Sequence, residues 1–391
     1  MHLKKRSMLR TLLSSAAMVM LLPGNGGSPL RGQTQTDPSI QPQTSVITRN
    51  PTRPEVQTRL DVDHDPIPSP DPEEIVPPSS VSPLTTARPG EIQKRQDGIY
   101  TMHQDVDEVL LSCAVVDEKG RLVKDMRRGD FRIFEDGVPQ ITSSFLHQDE
   151  PVALGILIDN SGSMIDKRPA VNAATLDLLK ASNSRDAAFL VNFSDRAYLD
   201  QGFTSDILAL NRALAHSDAK STTALYDAVA ASADELAKHG RLPKKVLLVI
   251  TDGADNASRL DLEQAIRRVQ NLGGPVVYSI GLLNGDDKPE STKARAALEK
   301  LSSETGGISY FPRSLSEVDG IASEVAQDIR DQYTIGYHST KPASLGGYRT
   351  VRVEGVAPNH GKVIVRTRKG YYAQESTRQP VQTQTAQEVE K

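Results

Sequence analysis

Between residues 151 and 330 the sequence alternates two patterns that few architectures can accommodate. Four runs, VALGILI (152–158), AAFLVNF (187–193), KVLLVIT (245–251) and PVVYSIG (275–281), are nearly continuous in apolar residues, and a shorter GISYF (307–311) follows. Between and after them lie six amphipathic stretches of helical length, at 167–182, 206–216, 224–238, 260–271, 290–304 and 315–331. A strand without polar alternation has to be covered on both faces, and helices between successive strands supply that cover. The pattern predicts an α/β fold with a doubly wound, mainly parallel sheet. In such sheets ligands enter beyond the carboxyl ends of the strands.

The flanks follow a different period. Upstream, EVLLSCAVVD, DFRIFEDGVPQ and ITSSFLH are short strand candidates, and EDGVP places Asp-Gly between two of them, a hairpin signal. Downstream, QYTIGYHS, GYRTVRVEGV and GKVIVRTRKGYYA alternate apolar and polar residues, the mark of half-buried antiparallel strands. Neither flank is large enough for a good core. Segments 96–150 and 332–373 are therefore expected to pair as a small β-sandwich, with the α/β unit, 151–331, inserted between them. Tyr348, Val351 and Val353 are assigned to one face of a strand, and Arg349 and Arg352 to the other. With Arg366, Arg368 and Lys369 these arginines could form a basic patch; a solvated sheet face is the preferred expectation.

The N-terminus reads as an export address. Lys4, Lys5, Arg6 and Arg10 precede TLLSSAAMVMLL (11–22), and PGNGGSP follows. That order of basic, apolar and small residues describes a secretory signal peptide, assigned to 1–27. Its apolar core is shorter than the ~20 residues a bilayer span needs, so no membrane span is expected in the mature chain. No cysteine follows that core, which excludes lipid attachment there. Thirteen of the 24 prolines lie between Pro29 and Pro89, so 28–95 reads as a disordered, semi-rigid linker. Segment 374–391 has the same polar character and reads as a disordered tail. The expected location is secreted, periplasmic or at the cell envelope.

With 46 Lys and Arg against 50 Asp and Glu, the chain has no basic footprint for nucleic acid. Cys113 is the only cysteine, so no intrachain disulfide can form. It falls in an apolar run and reads as a buried structural thiol.

The candidate site begins where the first apolar strand ends. GILIDNSGSM puts Asp159, Ser161 and Ser163 on alternate positions after Ile158. A second strand ends in Thr251 and Asp252, and between the two in sequence KSTTALYDAV offers Thr222 and Thr223 at the opening of a helix. Three loops at one sheet edge would then gather two carboxylates and three hydroxyls. Oxygen-only donors suit Mg2+ or Mn2+, whereas zinc would usually bring His or Cys. Two carboxylates leave such an ion short of anionic ligands, so a carboxylate from a partner protein could complete its sphere.

This Asp-x-Ser-x-Ser motif, with a later Thr and a TDG aspartate, resembles the metal-ion-dependent adhesion site of von Willebrand factor A domains, over residues 152–330. The flanking DEKGRLVKDMRRGDFRIFEDGVPQ and YRTVRVEG…VRTRKGYYA are similar to segments that bracket this domain in a bacterial secreted family. The resemblance implies a Rossmann-like fold and metal ligation by Asp159, Ser161, Ser163, Thr223 and Asp252. The family commonly has two glycines before the threonine; Ser221 and Thr222 stand there in this chain, and Thr222 competes with Thr223 for the role. FSDRAYLDQGFTSD (193–206) also matches the family and reads as scaffold.

A non-enzymatic, metal-dependent adhesion or binding module is the leading expectation. One alternative is a scaffold that binds through its β-sandwich and keeps a structural or vestigial metal site. Another is a phosphatase-like enzyme using Asp159 as nucleophile, but those enzymes place an acid two residues later, where this chain has Ser161. No G-x-S-x-G occurs to support a serine hydrolase. Standing alone, Asp-x-Ser-x-Ser would also serve as a helix N-cap. Asp255 and Asn256 read as bonding their own turn.

Overall fold

The computed structural model describes residues 60–61, 92–94, 100–102, 108–216, 221–271, 274–283, 288–357 and 359–373. The expected signal peptide, most of the proline-rich linker and the C-terminal tail lie outside the described residues. Strands β1 (Ile92–Lys94) and β2 (Tyr100–Met102) pair antiparallel. They are followed by β3 (Glu108–Asp117), β4 (Phe131–Glu135), β5 (Val138–Gln140) and β6 (Thr142–Leu146). The alternating region gives β7 (Val152–Asp159), α1 (Arg168–Lys180), β8 (Ala187–Phe193), β9 (Ala197–Thr204), α2 (Ile207–Leu214) and α3 (Leu225–His239). It continues with β10 (Lys244–Thr251), α4 (Leu262–Asn271), β11 (Val276–Gly281), α5 (Pro289–Thr305), β12 (Ser309–Tyr310) and α6 (Val318–Arg330). Strands β13 (Tyr333–His338), β14 (Tyr348–Gly355), β15 (Val363–Arg366) and β16 (Gly370–Tyr372) close the described chain.

The α/β expectation holds. Six strands form one sheet in the order β12-β11-β10-β7-β8-β9, parallel except for β9, which runs antiparallel to β8 at the edge. Every residue of β7 is buried, which is why its sequence shows no alternation. Val152, Leu154, Ile156 and Ile158 face a core with residues of α1, α2 and α6; Ala153 and Leu157 face another with α3, α4 and α5. Burying each large aliphatic side chain contributes about 1.5–3 kcal/mol. Strand β9 has no such run, because Tyr198, Leu199, Asp200, Gly202 and Phe203 are only partly buried at the sheet margin.

Gly155 shows how tightly the centre of this sheet is filled. A methyl group there would lie 2.5 Å from Cζ of Phe189 and 2.6 Å from Cδ2 of Leu247. Both neighbours are fully buried and have little room to retreat. Gly155→Ala is expected to cost about 1–3 kcal/mol through overpacking, read as a fall in the urea midpoint. An unchanged midpoint would mean the core has slack that the packing does not show.

The flanking segments build two four-stranded antiparallel sheets, β15-β3-β13-β6 and β16-β14-β4-β5. Each sheet draws strands from both sides of the α/β unit. Leu111, Cys113, Phe131, Ile133, Tyr333, Ile335, Val351 and Val353 meet between them, so the two sheets close over one core as a sandwich. Burial pushes the Cys113 thiol up to about 12. The β4–β5 hairpin turns at Asp136 and Gly137, whose φ angles of 47° and 79° are those a two-residue type I′ turn requires.

The reading of the basic residues requires a correction. Arg349 shares the buried face with Val351 and Val353, while Tyr348 and Arg352 are exposed. Arg349 is 1% exposed, and its guanidinium donates to Ser339 Oγ (2.7 Å), the Lys341 carbonyl (2.8 Å) and the Pro342 carbonyl (2.7 Å), with Glu135 at 3.5 Å. Arg368 is also buried and donates to the Leu110 carbonyl at 2.9 Å. Arg366 donates to Asp328 on α6 at 2.6 Å, and Asp328 accepts the Tyr278 hydroxyl at 2.5 Å, so this trio ties the sandwich to the α/β unit. Only Arg352 and Lys369 of the five are exposed, so they form neither a basic patch nor a uniformly solvated face. Strict alternation holds along this strand and places Arg349 with Val351 and Val353, so the expected grouping puts Tyr348 on the wrong face. What the local pattern does not reveal is the distant carboxylate, Glu135, that makes an inward arginine tolerable.

Candidate metal centre

The sheet register assembles the first part of the site. Ile158 and Ile250 are partners across β7 and β10, so the next residues, Asp159 and Thr251, emerge side by side at the carboxyl edge. Asp159 Oδ2 accepts the Thr251 hydroxyl at 2.6 Å, and Oδ1 accepts the Ser161 N–H at 2.8 Å. Burial is complete at this side chain and holds its pKa above the ordinary aspartate value; the hydrogen bonds oppose that shift, and the charge of Asp252 adds to it. Ser161 begins a short 3-10 turn, Gly162–Met164, but its side chain does not cap the turn. Its hydroxyl lies 3.2 Å from that of Ser163, and Ser163 donates to Asp252 Oδ1 at 2.8 Å. Asp159, Ser161, Ser163 and Asp252 thus belong to one hydrogen-bonded string.

Thr223 stands in the loop before α3, which is tied to the segment following Asp252. It is buried, whereas Thr222 is half-buried. Its N–H donates to Asn256 Oδ1 at 2.8 Å, and its carbonyl accepts from the N–H groups of Asn256 (3.0 Å) and Ala257 (3.2 Å). Those contacts lock the threonine loop against the segment that follows Asp252. Asp255 accepts from the Tyr226 N–H at 3.0 Å and from Ser258, so Asp255 and Asn256 reach across to the start of α3 in addition to shaping their own turn. Gly253 lies against Thr223: an added methyl there would stand 3.9 Å from its hydroxyl.

Three neighbours carry the site without being signalled by the motif. Thr251 holds Asp159 through its hydroxyl. Lys167 donates its ammonium to Asp252 Oδ2. Arg168, 5% exposed, donates to Asn192 Oδ1 at 2.7 Å and to the His216 carbonyl at 3.0 Å, pinning the start of α1. Asn192 donates onward to Asp200 at 2.6 Å. A lysine a few residues beyond a serine-rich loop looks like any surface charge in a sequence, so only the fold could pick it out.

The donor set is chemically coherent. It offers two carboxylates and the hydroxyls of Ser161 and Ser163, with Thr223 in the adjoining loop. Among the described residues, no three His, Cys, Asp or Glu side chains gather to hold an ion. Hard oxygen donors of this kind fit Mg2+ or Mn2+. The string also brings two carboxylates together with one ammonium in direct contact, an arrangement with room for a further positive charge.

The family model for the von Willebrand factor type A domain matches residues 154–254. Among solved structures, a von Willebrand factor type A protein from Catenulispora acidiphila is similar at 16% identity and a TM-score of 0.42, covering 63% of this chain and 74% of that one. The vWF domain of the type V pili tip protein Mfa5 from Porphyromonas gingivalis gives 12% identity and a TM-score of 0.40, covering 46% and 95%. BatB, a conserved hypothetical protein from Bacteroides thetaiotaomicron, gives 17% and 0.37, covering 45% and 98%. No curated protein matches the sequence.

Proposed function

We propose, from the match of residues 154–254 to the family model for the von Willebrand factor type A domain, that this chain is an exported, non-enzymatic binding or adhesion module. It engages a protein partner through a divalent ion, Mg2+ or Mn2+, held by Asp159, Ser161, Ser163, Thr223 and Asp252. A carboxylate of the partner, from Asp or Glu, completes the coordination. The observation that supports this reading is the single string of oxygen donors at the carboxyl edge of β7 and β10.

Each residue has a definable task. Asp159 supplies a buried anionic oxygen, oriented by Thr251 and by the Ser161 N–H. Ser161 and Ser163 offer neutral oxygens, so the site keeps an affinity for one more anion. Asp252 closes the string from the second strand, and the Asn256 clasp brings Thr223 alongside it. When bound, the ion supplies positive charge toward which an acidic partner group is drawn. The reading as an exported protein rests on the expected signal peptide; among the described residues no helix is long and apolar enough to cross a membrane.

The experiment is capture of envelope and culture-medium proteins on the immobilised protein with Mg2+, with EDTA, and with Ser161→Ala. Capture should vanish in EDTA, return when Mg2+ is restored, and be absent from Ser161→Ala. A partner retained equally in EDTA would sink the metal-dependent reading and favour contacts through the β-sandwich.

A further inference from the structure

We infer that the Lys167 ammonium is an internal cation of the site, which competes with the divalent ion and must leave Asp252 for that ion to bind fully. The inference rests on the metal reading above and goes beyond it, because it gives a residue outside the proposed ligand set control over metal affinity.

The contact itself is the first observation. Lys167 Nζ sits on Asp252 Oδ2, while Oδ1 of the same carboxylate takes the proton of Ser163, so both oxygens of this proposed ligand are engaged. The side chains of Lys167 and Asp252 are 15% and 1% exposed, so water screens this pair far less than it would a surface ion pair.

The second observation is how the lysine is delivered. Its N–H donates to the Met164 carbonyl at 2.9 Å, and its own carbonyl accepts from Val171 at 3.1 Å. The next residue, Arg168, is fixed by Asn192 and His216. The backbone at 167 is therefore a rigid base at the N-cap of α1, and only the four-carbon stem can move. Arg168 cannot swing outward without abandoning its buried partners, but Lys167 can.

The third is charge. The string contains two carboxylates, Asp159 and Asp252, one of them wholly buried. In the absence of a divalent ion, the ammonium is the positive charge in direct contact with it. Once a divalent ion takes Asp252, the same ammonium becomes a like charge a few ångströms away and destabilises the complex. Lys167 thus stabilises the metal-free loop and weakens metal binding, which confines occupancy to metal-rich surroundings.

The test compares wild type, Lys167→Met and Lys167→Arg by calorimetric titration with Mn2+ and by thermal unfolding in EDTA. Methionine keeps the apolar stem and removes the charge; arginine keeps the charge. Lys167→Met should bind Mn2+ about tenfold more tightly or better, the scale of a lost charge-assisted hydrogen bond. In EDTA it should unfold at a lower temperature than wild type, and Lys167→Arg should remain close to wild type in both measurements. Equal Mn2+ affinity in wild type and Lys167→Met overturns the inference, as does equal stability of the two in EDTA. If none of the three proteins binds Mn2+, the metal-site reading fails by itself, and the EDTA unfolding temperatures alone decide whether Lys167 is the counter-charge of Asp252.

Discussion

Millimolar Mg2+ or Mn2+ is expected to raise the unfolding temperature of the wild-type protein and to leave that of Asp159→Ala where it stands in EDTA. At a hundredfold excess over the dissociation constant, binding to the folded state alone adds about 2.7 kcal/mol. For a folded region of this size that is roughly 5–10 °C by scanning calorimetry. Asp159 is the residue to remove because its carboxylate is wholly buried and anchored at both oxygens, so no neighbour can swing in to replace it. Asp159→Asn separates binding from folding. It keeps the acceptor for the Ser161 N–H and lets the Thr251 hydroxyl rotate to accept. It also removes a buried charge whose pKa is raised chiefly by desolvation. In EDTA, Asp159→Asn should therefore be at least as stable as wild type, yet fail to respond to metal. A wild type whose unfolding temperature ignores both ions would leave the site vestigial and put the sandwich forward as the binding surface.

The second large effect is expected in the sandwich. Glu135→Leu should cost about 3–5 kcal/mol, the usual result of stranding a buried charge. Glu135 is 2% exposed and accepts hydrogen bonds from the hydroxyls of Tyr337 (2.7 Å), Tyr371 (2.8 Å) and Ser339 (2.5 Å), with Arg349 at 3.5 Å. Without it, the Arg349 guanidinium keeps only neutral acceptors and two tyrosine hydroxyls lose theirs. Burial and the bond to Glu135 raise the Tyr337 and Tyr371 pKa values, so both hydroxyls remain protonated donors. The pair Glu135→Leu with Arg349→Met should cost less than the sum of the single changes, because no unpaired charge remains. Guanidinium denaturation of the four proteins measures this cycle. Additive losses would show that the two side chains stabilise the fold independently.

Much of this architecture is legible in the order of the residues. Continuous apolar runs demand a two-faced sheet because a strand buried on both sides leaves few positions for a polar residue, and β7, β8, β10 and β11 show that burial. Local turn chemistry marks the hairpin at Asp136–Gly137, since those residue types tolerate positive φ. Strand β9 escapes because an edge strand is half-buried and partly polar, so its sequence resembles that of a loop.

The motif residues are legible for the same local reason: donors that immediately follow an apolar strand have to emerge at its carboxyl end. What only the tertiary structure decided is which groups meet across long sequence separations. The register of β7 against β10 brings Thr251 to Asp159; Asn256 clasps Thr223; Lys167 reaches Asp252; and Glu135 draws Arg349 into the core. The sequence by itself determined period, burial and sheet edge, because these follow from each residue's hydrophobicity and its near neighbours. The pairing of charges depended on the folded structure, because a buried ammonium or guanidinium is tolerated only where folding delivers its carboxylate.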